Sequence, residues 1–384
     1  MLESQRRLFD IPRDVAYFNA AGWSPVPRAV AAAGEAGANR KARPWEFSKA
    51  FYNAQYERAR AAAARVVNAE PADIALISSV GYGVATVAKG LDIPRSSRVL
   101  VMEDDHSSPV LEWLTRAASG GFTVETVRRP GDGDWTAAVL EAIERKGAPP
   151  VAVASMSNVH WSDGGTIDMD RVAPAVRTQG GAMVIDATHA AGILDIDVTR
   201  LDPDYMIFPS YKWLLGPYSR AFLYVAKRRQ DGVPLEQTAH GRRDIVAEHD
   251  IYFADTDFVE GARRFDMGER DHFVSLEMAA VGMEYVTGLG RANVEARLSA
   301  LTDNIAGQLA ELGNRVSLPA KRLRAPHLLS IGFNGGMPAE FVKHLEQEKV
   351  YAAPRIGRLR ISPHVYNDEE DVSRLVTALR HTLA

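Results

Sequence analysis

The sequence predicts an α/β protein: a large domain on a mainly parallel seven-stranded sheet, followed by a small C-terminal α+β domain. Two observations carry this. Seven short runs rich in apolar and β-branched residues recur up to Val225, and longer helix-forming stretches separate or precede them. This alternation is the pattern of parallel strands joined by helical crossovers, whose strands are buried on both faces. After Val225 it stops, and the tail resumes it in miniature as strand, helix, strand, helix.

The seven runs are Ile74 to Ile77, Arg98 to Met102, Phe122 to Val127, Val151 to Ser155, Met183 to Ile185, Tyr205 to Phe208 and Phe222 to Val225. Helices are expected over Ala29 to Ala36, Gln55 to Val67, Val110 to Ala118, Trp135 to Arg145 and Met169 to Gln179, where alanine favours helix. Lys227 to Asp271 is charged and strand-poor, and reads as a surface connection. A long helical pattern runs from His272 to Leu289, broken by Gly288 and Gly290, and another continues to Leu312. The tail places strands at His327 to Phe333 and Arg358 to Ser362, and helices at Pro338 to Glu348 and Asp368 to Leu383. A boundary near Tyr285 divides the chain into an N-terminal arm with the large domain, 1–285, and the small domain, 286–384.

Composition narrows the function. An apolar fraction of 46% with 24% charged residues is that of an ordinary globular protein, which argues against long disordered stretches. A net charge of -4 with interspersed signs shows no footprint for nucleic acid or an anionic membrane, so small-molecule chemistry is expected. The absence of cysteine removes disulfides, thiolate metal sites and thiol nucleophiles. The opening MLESQRRLFDIPRD has no apolar leader-like run, and no window approaches a membrane span. A cytoplasmic location is therefore expected.

The strongest local signal is Asp204-Tyr-Met-Ile-Phe-Pro-Ser-Tyr-Lys-Trp-Leu-Leu-Gly-Pro217, an apolar strand ending in a turn that presents Lys212. Ligands of open α/β sheets gather at the carboxyl ends of strands. A lysine there, between Tyr211 and Trp213, would be partly desolvated, which lowers its pKa and frees the neutral amine for imine chemistry. The bland alternative is a surface lysine after a strand. The second signal is Met183-Val-Ile-Asp-Ala-Thr-His-Ala-Ala-Gly192, with Asp186 at another strand end. A buried carboxylate needs a cationic partner, such as a protonated pyridine nitrogen, unless it caps the next helix. His189 could equally be a satisfied core histidine.

Taken together, the residues resemble the class V aminotransferase and cysteine desulfurase group of fold-type-I enzymes that use pyridoxal 5'-phosphate (PLP). The resemblance runs from Tyr17 to His381. It includes Tyr17-Phe-Asn-Ala-Ala-Gly-Trp-Ser-Pro-Val-Pro27, the segment Ala75 to Gly90, Asp105-His106 followed by Trp113, Ser157-Asn158, Asp186 to Gly192, Tyr211-Lys212 and Arg360-Ile-Ser-Pro-His-Val-Tyr366. No piece is specific alone; their order and spacing are.

The resemblance implies roles. Lys212 matches the lysine that holds PLP as a Schiff base, Asp186 the partner of the pyridine nitrogen, and His106 the ring stacked over the cofactor. Asn158 matches a residue near the phenolic oxygen and the substrate carboxylate, and His189 stands where relatives often have Gln. Arg360 matches the grip on the substrate's α-carboxylate, a role suited to a planar guanidinium. Amides of Val80, Gly81 and Tyr82 at a helix start are expected to meet the phosphate, with Ser210 and Tyr211 compensating for the Ser and His of relatives. A homodimer is implied, whose partner subunit completes the phosphate site through Phe265 to His272. The usual threonine is missing there, leaving Arg270 or the helix start as substitutes.

The expected activity is that of a PLP-dependent enzyme acting at Cα of an amino acid, an aminotransferase before a carbon-sulfur lyase or an isopenicillin N epimerase-like epimerase. A persulfide-forming cysteine desulfurase is disfavoured by the missing cysteine. A PLP-binding regulator would need a DNA-binding domain ahead of Tyr17, for which the sequence leaves no room. A metal hydrolase built from Asp105, His106, Asp186 and His189 lacks a recognised ligand spacing, so no metal is expected. Substrate selection among Trp23, His160, Trp161 and Tyr218 cannot be read from the sequence.

Overall fold

The computed structural model describes residues 2–383 except 246, 247, 249 and 272. Seven strands form the large sheet: β1 (Ile74–Ile77), β2 (Arg98–Met102), β3 (Thr123–Val127), β4 (Val151–Ser157), β5 (Ala182–Asp186), β6 (Tyr205–Pro209) and β7 (Ala221–Val225). Their spatial order is β1-β7-β6-β5-β4-β2-β3. Strand β7 runs antiparallel to both its neighbours, and the other pairings are parallel.

The alternation of side chains explains why these strands read as continuous apolar runs. Met183 and Ile185 of β5 join one buried cluster with Leu100, Met156, Met206 and Phe208, whereas Val184 joins another with Val99, Val101 and Ile207. Both faces are therefore covered, as a parallel sheet requires. The helices are α1 (Arg28–Lys41), α2 (Lys49–Val67), α3 (Val80–Gly90), α4 (Ser107–Gly120), α5 (Trp135–Glu144), α6 (Met169–Thr178), α7 (Val198–Leu201), α8 (Ser275–Gly288), α9 (Arg291–Leu309), α10 (Phe341–Gln347) and α11 (Glu369–Leu383). Caps set several starts: Ser79, Asp134, Asp168 and Asp197 each accept a hydrogen bond from an amide in the first turn of the helix that follows. None of the helices among the described residues is long and apolar enough to cross a membrane.

The tail forms a four-stranded antiparallel sheet of β8 (Val316–Ser317), β9 (Leu329–Phe333), β10 (Ala353–Arg355) and β11 (Arg358–Ile361), ordered β10-β11-β9-β8. The short β8 and β10 escape sequence reading because two or three residues show no period. A third apolar cluster belongs to this unit, and Phe9, Ala16, Phe18 and Ala20 of the N-terminal arm are part of it. The arm is pinned by pairing of Ala16 and Tyr17 with Val350 and Tyr351, and by a bridge from Asn19 to Ser362. Tyr285 lies within α8, and the chain turns at Gly290, whose φ is 80°. The helix expected from His272 begins at Ser275; His272 itself lies outside the described residues.

Candidate active site

Because β7 is antiparallel to its neighbours, the carboxyl ends of β1, β4, β5 and β6 and the amino end of β7 share one edge of the sheet. That edge is where ligands of open sheets bind. Here it carries a cavity of ≈ 370 Å³. Asp186 closes β5, Lys212 follows β6, Ser79 and Val80 follow β1, Arg220 precedes β7, and His106 opens α4 after β2. All of them line the cavity, together with His189, Thr188 and Tyr211.

Lys212 is buried, and its Nζ lies 3.2 Å from His189 Nε2. Burial pulls its pKa down, with Arg360 adding to the effect and Asp186 opposing it. The indole N–H of Trp213 donates to His189 Nδ1 at 3.2 Å. Since an indole can only donate, Nδ1 must accept, and the single proton of the neutral ring sits on Nε2, facing Lys212. Burial first, then the charge of Lys212, holds the imidazole pKa well below its usual value, so the ring is neutral.

Asp186 is 3% exposed, and desolvation raises its pKa. The amide and hydroxyl of Thr188 both donate to Oδ1. None of the hydrogen bonds among the described residues ends on Oδ2, which leaves that oxygen for a cation entering the cavity. Asp105 anchors the start of α4 by accepting from the amide of His106 at 2.7 Å and from the hydroxyl and amide of Ser157 at 2.7 and 2.9 Å. His106 has an open face toward the cavity. The protein packed around it and the charge of Lys212 lower its pKa.

Five expected residues, Asn158, Arg360, Ser210, Gly81 and Tyr82, are not part of the cavity lining. Asn158 is buried beside Asp186, its amide 3.4 Å from the Asp186 carbonyl, and its Oδ1 has no hydrogen-bond partner. Arg360 on β11 is buried without an ion pair among the described residues. Its Nη1 donates to the Trp161 carbonyl at 2.7 Å, its Nε is unpartnered, and burial with Arg355 nearby brings its pKa to about 9. Ser210 differs from expectation, because its hydroxyl already donates to the carbonyls of Pro217 and Arg220 within the turn. Gly81 and Tyr82 continue the first turn of α3 behind Val80, outside the lining.

Of the four specificity candidates, His160 is buried and stacked on Trp135, with Nε2 bonded to the Glu103 carbonyl, so it supports the wall from behind. Trp161 reaches the site through its carbonyl on Arg360 and its ring edge against His106. Tyr218 lines the cavity and meets Trp23 edge to face, the two being 63% and 70% exposed. Sequence reading missed Arg220; its signal was a charge placed immediately before the apolar strand Ala221-Phe-Leu-Tyr-Val225.

The residues present fit PLP: a buried amine, a buried carboxylate with one free oxygen and a helix-start amide converge on one cavity. A model of the aminotransferase class-V family matches residues 16–375. The uncharacterized aminotransferase YcbU of Bacillus subtilis is 25% identical over 320 residues, covering 83% of this chain and 82% of that protein. Isopenicillin N epimerase of Streptomyces clavuligerus is 26% identical over 359 residues, covering 89% and 88%. The apo cysteine desulfurase of Thermococcus onnurineus NA1 superimposes with a TM-score of 0.83 at 20% identity, covering 98% of this chain and 97% of that one. Fold and site define a fold-type-I enzyme whose cofactor is PLP. The chain belongs to the class V aminotransferase family.

Proposed function

We propose that this enzyme is an aminotransferase acting on a small-molecule amino acid, with Lys212 as the residue that holds the cofactor and moves the proton. The observation that carries the reading is the buried amine of Lys212, its pKa drawn down by burial to about 7, with the Nε2–H of neutral His189 directed at it. A neutral amine is the form that attacks a carbonyl and accepts a proton.

When bound, PLP supplies an electron sink for the carbanion at the substrate's Cα. In this reading Asp186 Oδ2 would face the pyridine nitrogen and favour its protonated form. His106 would lie over the ring, and the Asn158 side-chain amide and, once Lys212 is engaged by the cofactor, the Nε2–H of His189 would donate toward the phenolic oxygen. Arg360, without an ion pair among the described residues, would hold the substrate carboxylate, and Lys212 would take the proton from Cα. We also read the chain as two domains meeting near Tyr285, and as a cytoplasmic homodimer. The exposed Trp45, Ile251 and Phe253 suit burial against a second subunit. With no cysteine in the chain, no persulfide can be carried on it, which separates this reading from a persulfide-forming desulfurase.

A single turnover with an amino acid and no added keto acid tests the reaction class. Transamination leaves the amino group on the cofactor, recovered as pyridoxamine phosphate in amounts equal to enzyme. Repeated release of ammonia from a substrate with a β-sulfur or β-oxygen group, or inversion at Cα without it, would replace this reading by a lyase or an epimerase. In the same assay Lys212→Ala should lose the visible absorbance of the bound cofactor while keeping its fold.

A further inference from the structure

A buried guanidinium lines the cavity two strands away from Asp186. Ile77 of β1 and Ala221 of β7 are direct partners, so the next position along the pairing sets Arg220 beside Ser78, one residue before the cap of α3. Arg220 lines the cavity with Ser78, Ser79 and Val80, yet it is 2% exposed. Its Nη2 donates to Ser275 Oγ at 2.8 Å and its Nη1 lies 3.7 Å from Met267 Sδ, while Nε is buried with no partner.

Among the described residues no carboxylate lies within ion-pair distance of Arg220. The acids whose charge it feels are committed elsewhere. Asp266 is bonded by Arg60, Arg270 and the amide of Leu76, and Asp271 accepts from the amides of Phe273, Val274 and Ser275. A desolvated cation without an anion of its own is unfavourable. The anion it serves must come from outside this arrangement.

We propose that Arg220 receives the phosphate of PLP, together with the amide of Val80 at the start of α3. This deepens the assignment of the cofactor and rests on it. The orientation follows from the strand order: Asp186 ends β5, and β7 lies two strands away, about 10 Å at ordinary strand spacing. A ligand with a basic ring nitrogen at one end and a phosphate at the other spans that row. The first amides of a helix have no intrahelical acceptor; Ser79 accepts those of Tyr82 and Gly83 and leaves that of Val80, and an added Cβ at the next residue, Gly81, would meet nothing nearer than 3.9 Å. The backbone there is open to a bulky anion, and a guanidinium fork supplies the matching charge.

The test titrates the cofactor-free protein with PLP and with pyridoxal, which lacks only the phosphate, and reads binding from the visible absorbance. Arg220→Gln should weaken PLP at least tenfold and leave pyridoxal within a factor of two; Arg220→Lys should fall between. Equal losses for both probes, or an unchanged preference for PLP over pyridoxal, would overturn the proposal. If the Gln variant does not fold, as judged by circular dichroism, the Lys variant decides: a severalfold smaller preference for PLP supports the assignment, and an unchanged one overturns it. A wild-type protein that binds neither probe would instead remove the cofactor reading itself.

Discussion

The indole N–H of Trp213 donates to Nδ1 of His189, and through that bond it decides which nitrogen of the imidazole faces Lys212. Residue 213 follows the lysine directly, so one turn supplies both the amine and the group that sets its neighbour's tautomer. The expected consequence concerns Lys212 more than the fold. In Trp213→Phe the ring of His189 is free to exchange tautomers, and the amine loses a hydrogen bond to its neutral form. The Lys212 pKa should then rise toward that of an ordinary lysine. The rate of PLP attachment to the cofactor-free protein, followed against pH, should shift its midpoint upward by about 0.5 to 1 unit, the equivalent of one neutral hydrogen bond. A variant with a lower melting temperature but an unmoved midpoint would make Trp213 a packing residue only.

Asp186 offers a second test, because Thr188 occupies only one of its oxygens. Asp186→Ala should bind PLP at saturating concentration yet turn over several orders of magnitude more slowly, since an unprotonated pyridine withdraws few electrons. Near-native turnover at saturating PLP would exclude this role.

Arg360 is buried, has an unpartnered Nε and lies on β11 of the four-stranded sheet. If it grips the substrate carboxylate, Arg360→Lys should raise KM for the amino acid by at least tenfold, as expected when a bidentate pair becomes a single contact. An amine substrate without a carboxylate should show little change. Equal effects on both substrates would place the role of Arg360 elsewhere.

Stability should also depend on pH through two buried histidines that stand behind His189 and Trp213. His364 donates from Nε2 to the Trp213 carbonyl and accepts the amide of Val365 on Nδ1, so it is buried as a neutral ring with its pKa lowered by desolvation to about 4. His327 donates to the His189 carbonyl and is lowered to about 3 by the same cause. The folded pKa values lie below the unfolded value of about 6.5, so below that pH the unfolded chain binds more protons. The contribution is present above pH 6.5 and is lost as pH falls through the folded values. Each ring should cost about 2 kcal/mol of stability between pH 7 and 5. Urea unfolding at the two pH values measures the loss, and His364→Gln should reduce it; an identical loss in the variant would assign the dependence to other groups.

Much of this protein is local information. The runs around Ile185 and Ile207 are apolar at every position because both faces of the sheet are covered, and a carboxylate or an amine directly after such a run marks a strand end. The positions of Asp186 and Lys212 at buried strand ends were therefore legible, and the class of fold with them. Short β8 and β10 were not, since two or three residues cannot display a period, and Ser210 was misleading because a hydroxyl in a turn reads the same whether it faces a ligand or a carbonyl.

By itself the sequence determined the α/β architecture, the order of its elements and the strand ends that carry a buried amine and a buried acid, because periodicity and burial are written within each segment. Tertiary structure alone decided which ends are neighbours. The insertion of β7 between β1 and β6 sets Arg220 beside Ser78, more than a hundred residues away in sequence. Packing of the N-terminal arm into the C-terminal core brings Asn19 to Arg360, and the turn after β6 carries Trp213 back onto His189. The physical reason is that hydrogen bonds and desolvation act over a few ångströms of space, whereas sequence patterns record only distance along the chain.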